Sequence, residues 1–545
     1  MKTWQKSALW YSVLTLLYLF PLVLNFRNLA GHGDAWQFVW NFWWVQKVFT
    51  TPSLQLFYTT LLHWPHGISL LLQTMTLVNS VPAALLSPIL GYVTTYNFLV
   101  ILHFILSGLG MYFLCYHFSK NHFAAFIGGF LFAFSPYRFA HYYGHLHLMT
   151  TEVLPFGILF LIKTLEGNRR SWIGAAILCV MTAYTDLYYF LFLFLVSIAL
   201  VIWKFPRTRT VLFHLVLIAG ITALAVAPYF GPLLAMKYHT QEFNILGHDP
   251  VANSSDLKSF FIPGMRSMFG GLTARWWSWW SAPWEIGNYI GYSVIILLLW
   301  GFWKSRSKIF LFWMILGIIF AVLSLGPYLH IGGRVITSFQ LPYAWLEHVV
   351  PLLSLAGVAS RFFVVTSLSL AILVSLALAR VLQESRRGEF IAAIFFVILA
   401  FEYLPAPVIV SPVIVSDFYQ KLAADHASYA LIDVSDAPAK VLYYQTIHGK
   451  PLIGGYTSRP TMSANRFLEE TPVIRDLVAD PPDGQTGGER FHAHTPPRDG
   501  KKILTDLQVR YILIPRDERG LERYVAKLKL PLVYEDSMLE AYQAY

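Results

Sequence analysis

The chain has 545 residues, 56% of them hydrophobic and only 13% charged, against about 25% charged residues in an ordinary soluble domain. Most of it therefore faces lipid or other apolar helices, which excludes a soluble globular class. The net charge of +10 resides largely in Lys and Arg of short loops between apolar runs, a membrane-topology pattern rather than a nucleic-acid surface.

Residues 7–24 form the first apolar run, after Lys2 and Lys6. The run is long for a signal-peptide core, and Asn25-Phe26-Arg27-Asn28 follows it instead of a small-residue cleavage site. It reads as a retained span. A crossing needs roughly 20 apolar residues. Further candidates are 96–116, 123–137, 149–165, 171–186, 187–203, 210–235, 288–303, 309–327, 357–381 and 389–409. Cys115 and Cys179 lie inside such runs and offer neither a disulfide framework nor a metal cluster.

With eleven crossings, Lys120, Arg169, Arg170, Lys204, Arg207, Arg209, Lys304, Arg306, Lys308, Arg386 and Arg387 all share the side of the N-terminus. The positive-inside rule makes that side cytoplasmic. Arg27 and Arg138 are isolated external exceptions. The apolar stretch 68–92 is interrupted by Asn79, Pro82 and Pro88. Counting it as a crossing would put every later basic loop outside. It is expected as broken interfacial or re-entrant helix within a first external loop, 25–95, covered by protein. The long run 171–203 turns at Thr182, Thr185 and Asp186.

From Ser416 onward the composition becomes that of a soluble unit. Strands are expected at 429–434 and 509–514, helices at 465–479 and 518–528, and a mobile loop at 481–500, rich in Pro, Gly and Asp. The predicted fold class is mostly α: a polytopic membrane helix bundle of about 11 spans over 1–409. A small C-terminal extracytoplasmic α/β domain over 410–545 completes it.

The informative polar residues are those that this topology brings to the external membrane face. Asp34, in Gly33-Asp34-Ala35-Trp36, could simply cap the following helix. Its place beside an aromatic amphipathic stretch at the membrane favours chemistry instead. The second external loop carries Arg138, His145 and His147, and Glu152 enters the next span. Imidazoles there could bind a metal or, with Arg138, a phosphate; a solvated polar rim is the plain alternative. A carboxylate inside a span normally faces a partner or a cavity. Asp186 sits at its hairpin tip, and Arg361 opens the tenth span at headgroup level. An arginine fork suits phosphate there, with snorkelling as the competing reading. The Trp clusters at 36–44 and 276–280 fit an interfacial belt. Neither a Gly-rich phosphate loop nor a nucleophile elbow is present in the sequence.

Together these features resemble the GT-C superfamily of membrane glycosyltransferases, which includes oligosaccharyltransferases, protein mannosyltransferases and lipid A aminoarabinose transferases. Asp34 matches the acidic residue of the family's first external loop, and 35–49 with 68–92 match its membrane-parallel helices. Tyr116-His117-Phe118-Ser119-Lys120-Asn121-His122-Phe123-Ala124-Ala125 looks like its cytoplasmic turn. The second-loop Asp of many members is replaced here by His145 and His147, with Glu152 or Asp186 as substitutes.

The resemblance implies an inverting sugar transfer from a polyprenyl-phosphate donor to a glycan, lipid or protein acceptor at the external face of the cell membrane. Asp34 would act as base toward the acceptor hydroxyl or orient it, with Glu152 and Asp186 as further catalytic carboxylates, and Arg138, His145, His147 and Arg361 as the phosphate-binding groups. Metal use stays open. A non-catalytic transporter or lipid-handling protein is the rival, although the internal repeats that transporters often show are not evident.

Overall fold

In the computed structural model the apolar runs form helices, because at membrane depth a segment must satisfy its own backbone. Residues 2–545 are described apart from 207, 243–247, 305–306, 351–352, 354–356, 435–437, 479–495 and 517–518. Arg207, Arg306 and positions 481–495 of the expected loop thus lie outside the described residues.

Among the described residues, five helices are long and apolar enough to cross a membrane: Tyr92–Ser119, His122–His141, Leu187–Lys204, Arg209–His239 and Ala359–Glu384. Shorter apolar helices accompany them, among them Val153–Leu165, Ser171–Thr185, Tyr292–Lys304 and Lys308–Ser324. Ala359–Glu384 is the central element, with 89% of its apolar window buried. Arg209–His239 is peripheral, at 22%, and turns Phe213, Val216 and Leu224 outward. Without a hydrophobic drive between helices in lipid, close approach depends on small residues. At Gly128 a Cβ would stand 2.6 Å from Cys115 Sγ and 2.9 Å from the Ala371 carbonyl oxygen. Both cysteines are free thiols.

The stretch Leu77–Leu90 is a 14-residue helix, about 21 Å long at roughly 1.5 Å per residue and short of the ~30 Å hydrocarbon core. Contrary to the expectation of broken helices, Pro82 and Pro88 lie inside it. Each removes a backbone donor without ending the helix, as happens where neighbouring helices pack against it.

The helix Ala35–Thr50 also departs from expectation. Its tryptophans do not form an interfacial belt: Trp36, Trp40 and Trp44 are buried. Trp40 and Trp44, one helical turn apart, stack with ring centroids 5.7 Å apart. The Trp40 indole donates to Gln445 Oε1 at 2.7 Å. The i, i+4 spacing that would have faced lipid faces the C-terminal segment instead.

That segment carries a four-stranded sheet in the order Ala430–Asp433, Val509–Pro515, Leu539–Gln543, Leu532–Glu535. The first pair is parallel and the others antiparallel. Helices Pro438–His448, Met462–Glu470, Pro472–Val478 and Arg519–Lys527 accompany it. It is stitched to the segment 25–95: Leu29 and Ala30 pair antiparallel with Ser411 and Val410, and Trp64 N donates to the Leu452 carbonyl at 3.0 Å.

Candidate active site

Two glycines let the loop before helix Ala35–Thr50 touch the loop that carries Tyr142 and Tyr143. Gly31 has φ +79°, and a Cβ there would lie 2.8 Å from the Tyr142 carbonyl oxygen and 2.9 Å from that of Tyr143. Opposite it, a Cβ on Gly144 would stand 2.9 Å from the His32 carbonyl oxygen. His32 N donates to the Tyr143 carbonyl at 3.0 Å, which locks the crossing. Gly31→Ala is expected to cost about 1–3 kcal/mol through left-handed strain and overpacking. A lowered melting temperature of the purified protein in detergent would report it; an unchanged one would show that the crossing can relax.

The crossing delivers Asp34 to the second loop. Asp34 occupies the position before helix Ala35–Thr50 but makes no side-chain capping bond. Its Oδ1 accepts from the Tyr456 hydroxyl at 2.6 Å, and its Oδ2 lies 3.9 Å from His145 Nε2. His145 Nε2 is in turn 3.8 Å from Glu285 Oε1, which accepts from the Arg361 guanidinium at 2.8 Å. His141 adds a second imidazole, with its Nδ1 3.2 Å from His145 Nδ1 and 3.7 Å from Glu285 Oε2. Burial alone would raise the Glu285 pKa, but Arg361 and then the two histidines hold it well below the usual carboxylate range.

A second cluster adjoins the first. His147 Nε2 lies 3.8 Å from Asp186 Oδ2. Burial, with His145 and Arg361 nearby, pushes the His147 imidazole well below its ordinary pKa and keeps it neutral. Asp186 Oδ1 accepts from the backbone N–H groups of Tyr188 and Tyr189 at 2.8 and 3.2 Å, capping Leu187–Lys204. Arg361 lies over the Tyr188 ring, 5.3 Å from its centroid.

His147, Asp186, Tyr188 and Arg361, with Arg459 from the C-terminal segment, line a cavity of about 110 Å³. Through Leu187 and Tyr188 it adjoins an apolar cavity of about 190 Å³ walled by Phe190, Leu191, Phe194 and Phe230. Phe194 is exposed on the outer side of its helix.

Glu152 and Arg138, expected in the same polar group, are held in a separate buried network. Glu152 binds His103 Nδ1 at 2.6 Å and accepts from Ser107 Oγ at 3.1 Å. Arg138 donates to Ser107 Oγ at 2.7 Å and to the Met149 carbonyl at 2.6 Å. Both partners on Tyr92–Ser119 were invisible as partners in the sequence, since facing residues on different helices carry no local signal.

Conversely, Glu285, His141, Tyr456 and Arg459 escaped sequence reasoning. Only His141 left a trace, its four-residue spacing to His145 being one that metal-binding histidines use. Ligand atoms of His141, His145 and Glu285 lie within 4.8 Å of one another. Two imidazoles and a carboxylate fit a divalent ion in donor type, and Glu285 Oε2 completes no hydrogen bond among the described residues.

The fold is that of the GT-C membrane glycosyltransferases. Similar structures include the arabinofuranosyltransferase AftD from mycobacteria, with a TM-score of 0.62 at 12% identity over 99% of this chain and 40% of that one. ArnT from Cupriavidus metallidurans bound to undecaprenyl phosphate has a TM-score of 0.50 at 10% identity, over 98% of each chain. The apo oligosaccharyltransferase of Archaeoglobus fulgidus has a TM-score of 0.48 at 10% identity, over 95% of this chain and 71% of that one. The chain thus spans two-fifths of the AftD chain. No curated protein sequence matches it. By sequence the chain belongs to the family described as Domain of unknown function (DUF6311), whose model matches residues 11–401.

Proposed function

We propose that the protein is a membrane glycosyltransferase that moves a sugar from a polyprenyl-phosphate donor to an acceptor hydroxyl at the external membrane face. One observation carries the reading: contacts of 3.9, 3.8 and 2.8 Å join Asp34 through His145 and Glu285 to Arg361. Arg361 in turn lines a cavity that adjoins an apolar one. The apolar cavity suits the polyprenyl chain, and Arg361, Arg459 and His147 suit its phosphate.

In this mechanism the acceptor oxygen attacks the anomeric carbon while the bond from that carbon to the phosphate oxygen breaks. The lipid phosphate leaves with the electron pair, and Asp34 takes the acceptor proton. Displacement from the opposite face inverts the configuration. Tyr456 fixes the Asp34 rotamer. A divalent ion held by His141, His145 and Glu285 would supply further positive charge near the departing phosphate. Asp186 holds His147 toward the cavity, and the Glu152–Arg138 network supports the short helix that bears it. The observed likeness in fold to ArnT bound to undecaprenyl phosphate supports the donor class.

The same reading assigns residues 1–409 to the membrane domain, with the N-terminus cytoplasmic, and 410–545 to an extracytoplasmic domain over the site. A single cysteine introduced at the exposed position Asp506 is expected to react with an impermeant maleimide in intact cells. Protection until the cells are opened would reverse the orientation and sink the external site.

A further inference from the structure

Where the C-terminal segment meets the loop that holds His63 there is a third cavity, of about 330 Å³. That far exceeds the roughly 10–15 Å³ that a single water needs. His63, Asp433, Tyr456, Thr457, Asn465 and Glu469 supply its polar lining, against apolar walls from Val441 and Leu468. Tyr456 belongs to both places, since its hydroxyl donates to Asp34.

Two side chains here are built for a guest. His63 is 2% exposed, yet neither of its ring nitrogens completes a hydrogen bond among the described residues. Its backbone adopts φ +52°, uncommon for a residue with a Cβ. The strained backbone is pinned by His63 N donating to the Gly454 carbonyl at 2.7 Å and Gly67 N donating to the His63 carbonyl at 2.9 Å. Burial lowers the imidazole to a pKa of about 4, opposed by a backbone hydrogen bond at Gly455 whose geometry falls short of satisfying either nitrogen, so the ring is neutral, one nitrogen a donor and the other an acceptor. Thr457, at 8% exposure, likewise leaves its buried hydroxyl without a partner among the described residues. A buried polar group left unsatisfied costs about 1–3 kcal/mol, so two around one cavity call for a ligand or water that satisfies them.

The charge pattern selects the ligand. The lining contains two carboxylates, Asp433 and Glu469, and neither lysine nor arginine among the described residues. A phosphate would be repelled here, whereas the neighbouring cavity offers Arg361 and Arg459. Carboxylates, an amide, a hydroxyl and a neutral imidazole around small apolar walls match the hydroxyls and C–H faces of an uncharged sugar.

We propose that this cavity binds an uncharged sugar residue of the acceptor glycan, with Tyr456 standing between that residue and Asp34. Only the role as acceptor rests on the transferase reading; the binding of a neutral sugar does not.

The test uses the full chain in lipid nanodiscs and the methyl glycosides of arabinofuranose, galactofuranose, mannose, glucose and galactose. Saturation-transfer NMR should show at least one of them binding, without competition from glucose 1-phosphate. Thr457→Val and His63→Phe should each weaken that binding about tenfold, the worth of one hydrogen bond to the ligand. Their melting temperatures should not fall, because the polar atoms removed had no protein partner. Asp34→Asn should leave glycoside binding in place.

Absence of binding by all five glycosides, or binding indifferent to both cavity variants, overturns the site. If the glycosides bind as described but the wild type transfers no sugar, the site stands and the transferase reading falls. If the wild type transfers and Thr457→Val keeps its acceptor KM, the acceptor role is overturned while the transferase stands.

Discussion

Asp34→Asn is expected to lower sugar transfer by about 10²–10⁴-fold, the usual worth of a positioned general base, while the protein remains folded and membrane-inserted. The substitution keeps the shape of the side chain and its capacity to accept from the Tyr456 hydroxyl, 2.6 Å away. It removes the charge and the basicity that the acceptor proton needs. Since Asp34 makes no capping bond to its own helix, helix Ala35–Thr50 loses little. The measurement is transfer from a polyprenyl-phosphate sugar in proteoliposomes, read beside the melting temperature. Tyr456→Phe provides a graded control: it frees the Asp34 rotamer without touching its charge and should reduce the rate far less. A transfer rate in Asp34→Asn equal to wild type would remove the base from the mechanism. A rate lost only together with the fold would make Asp34 a structural residue.

Asp34 could be singled out because an acidic residue at the border of an apolar run is costly and conspicuous. The same holds for Asp186 at its hairpin tip and Arg361 at the head of its span. Glu285 had no such contrast. It sits in a polar segment of some fifty residues, where an acid is ordinary, and only tertiary structure puts its carboxylate 2.8 Å from Arg361. Arg459 and Tyr456 were hidden in the same way, inside a segment of soluble composition.

Glu152 and Arg138 present the opposite case. They were conspicuous, but their partners His103 and Ser107 lie on another helix, and hydrogen bonding inside the bundle absorbs both charges. Some helices follow from hydropathy almost residue by residue, as in Ser171–Thr185 and Leu187–Lys204, whereas the expected run 7–24 is divided into Thr3–Tyr18 and Phe20–Leu24. What hydropathy does not encode is which aromatic face meets lipid and which meets the C-terminal segment, and so the tryptophans of Ala35–Thr50 were misplaced.

Breaking the Glu285–Arg361 pair is expected to destabilise the protein by about 3–5 kcal/mol, whichever partner is removed, because each loss leaves the other charge buried and uncompensated. Both residues are 7% exposed. Glu285→Gln strands the guanidinium, and Arg361→Leu strands the carboxylate. The double variant should cost less than the two single losses together, since replacing both partners removes the stranded charge.

The pH dependence follows from the Glu285 carboxyl being held below its usual range in the folded protein. A depressed folded pKa contributes stability that is fully present above the unfolded value of about 4.3. That contribution is lost as pH falls from there through the folded value. The wild-type melting temperature should therefore owe nothing to this group's titration between pH 6 and 8 and should lose its contribution only in acid. Glu285→Gln should melt lower at neutral pH and lack that part of the acid decline. Melting curves in detergent from pH 3 to 8 would decide it. Equal melting temperatures for wild type and Glu285→Gln at pH 7 would mean that the pair's desolvation cancels its attraction.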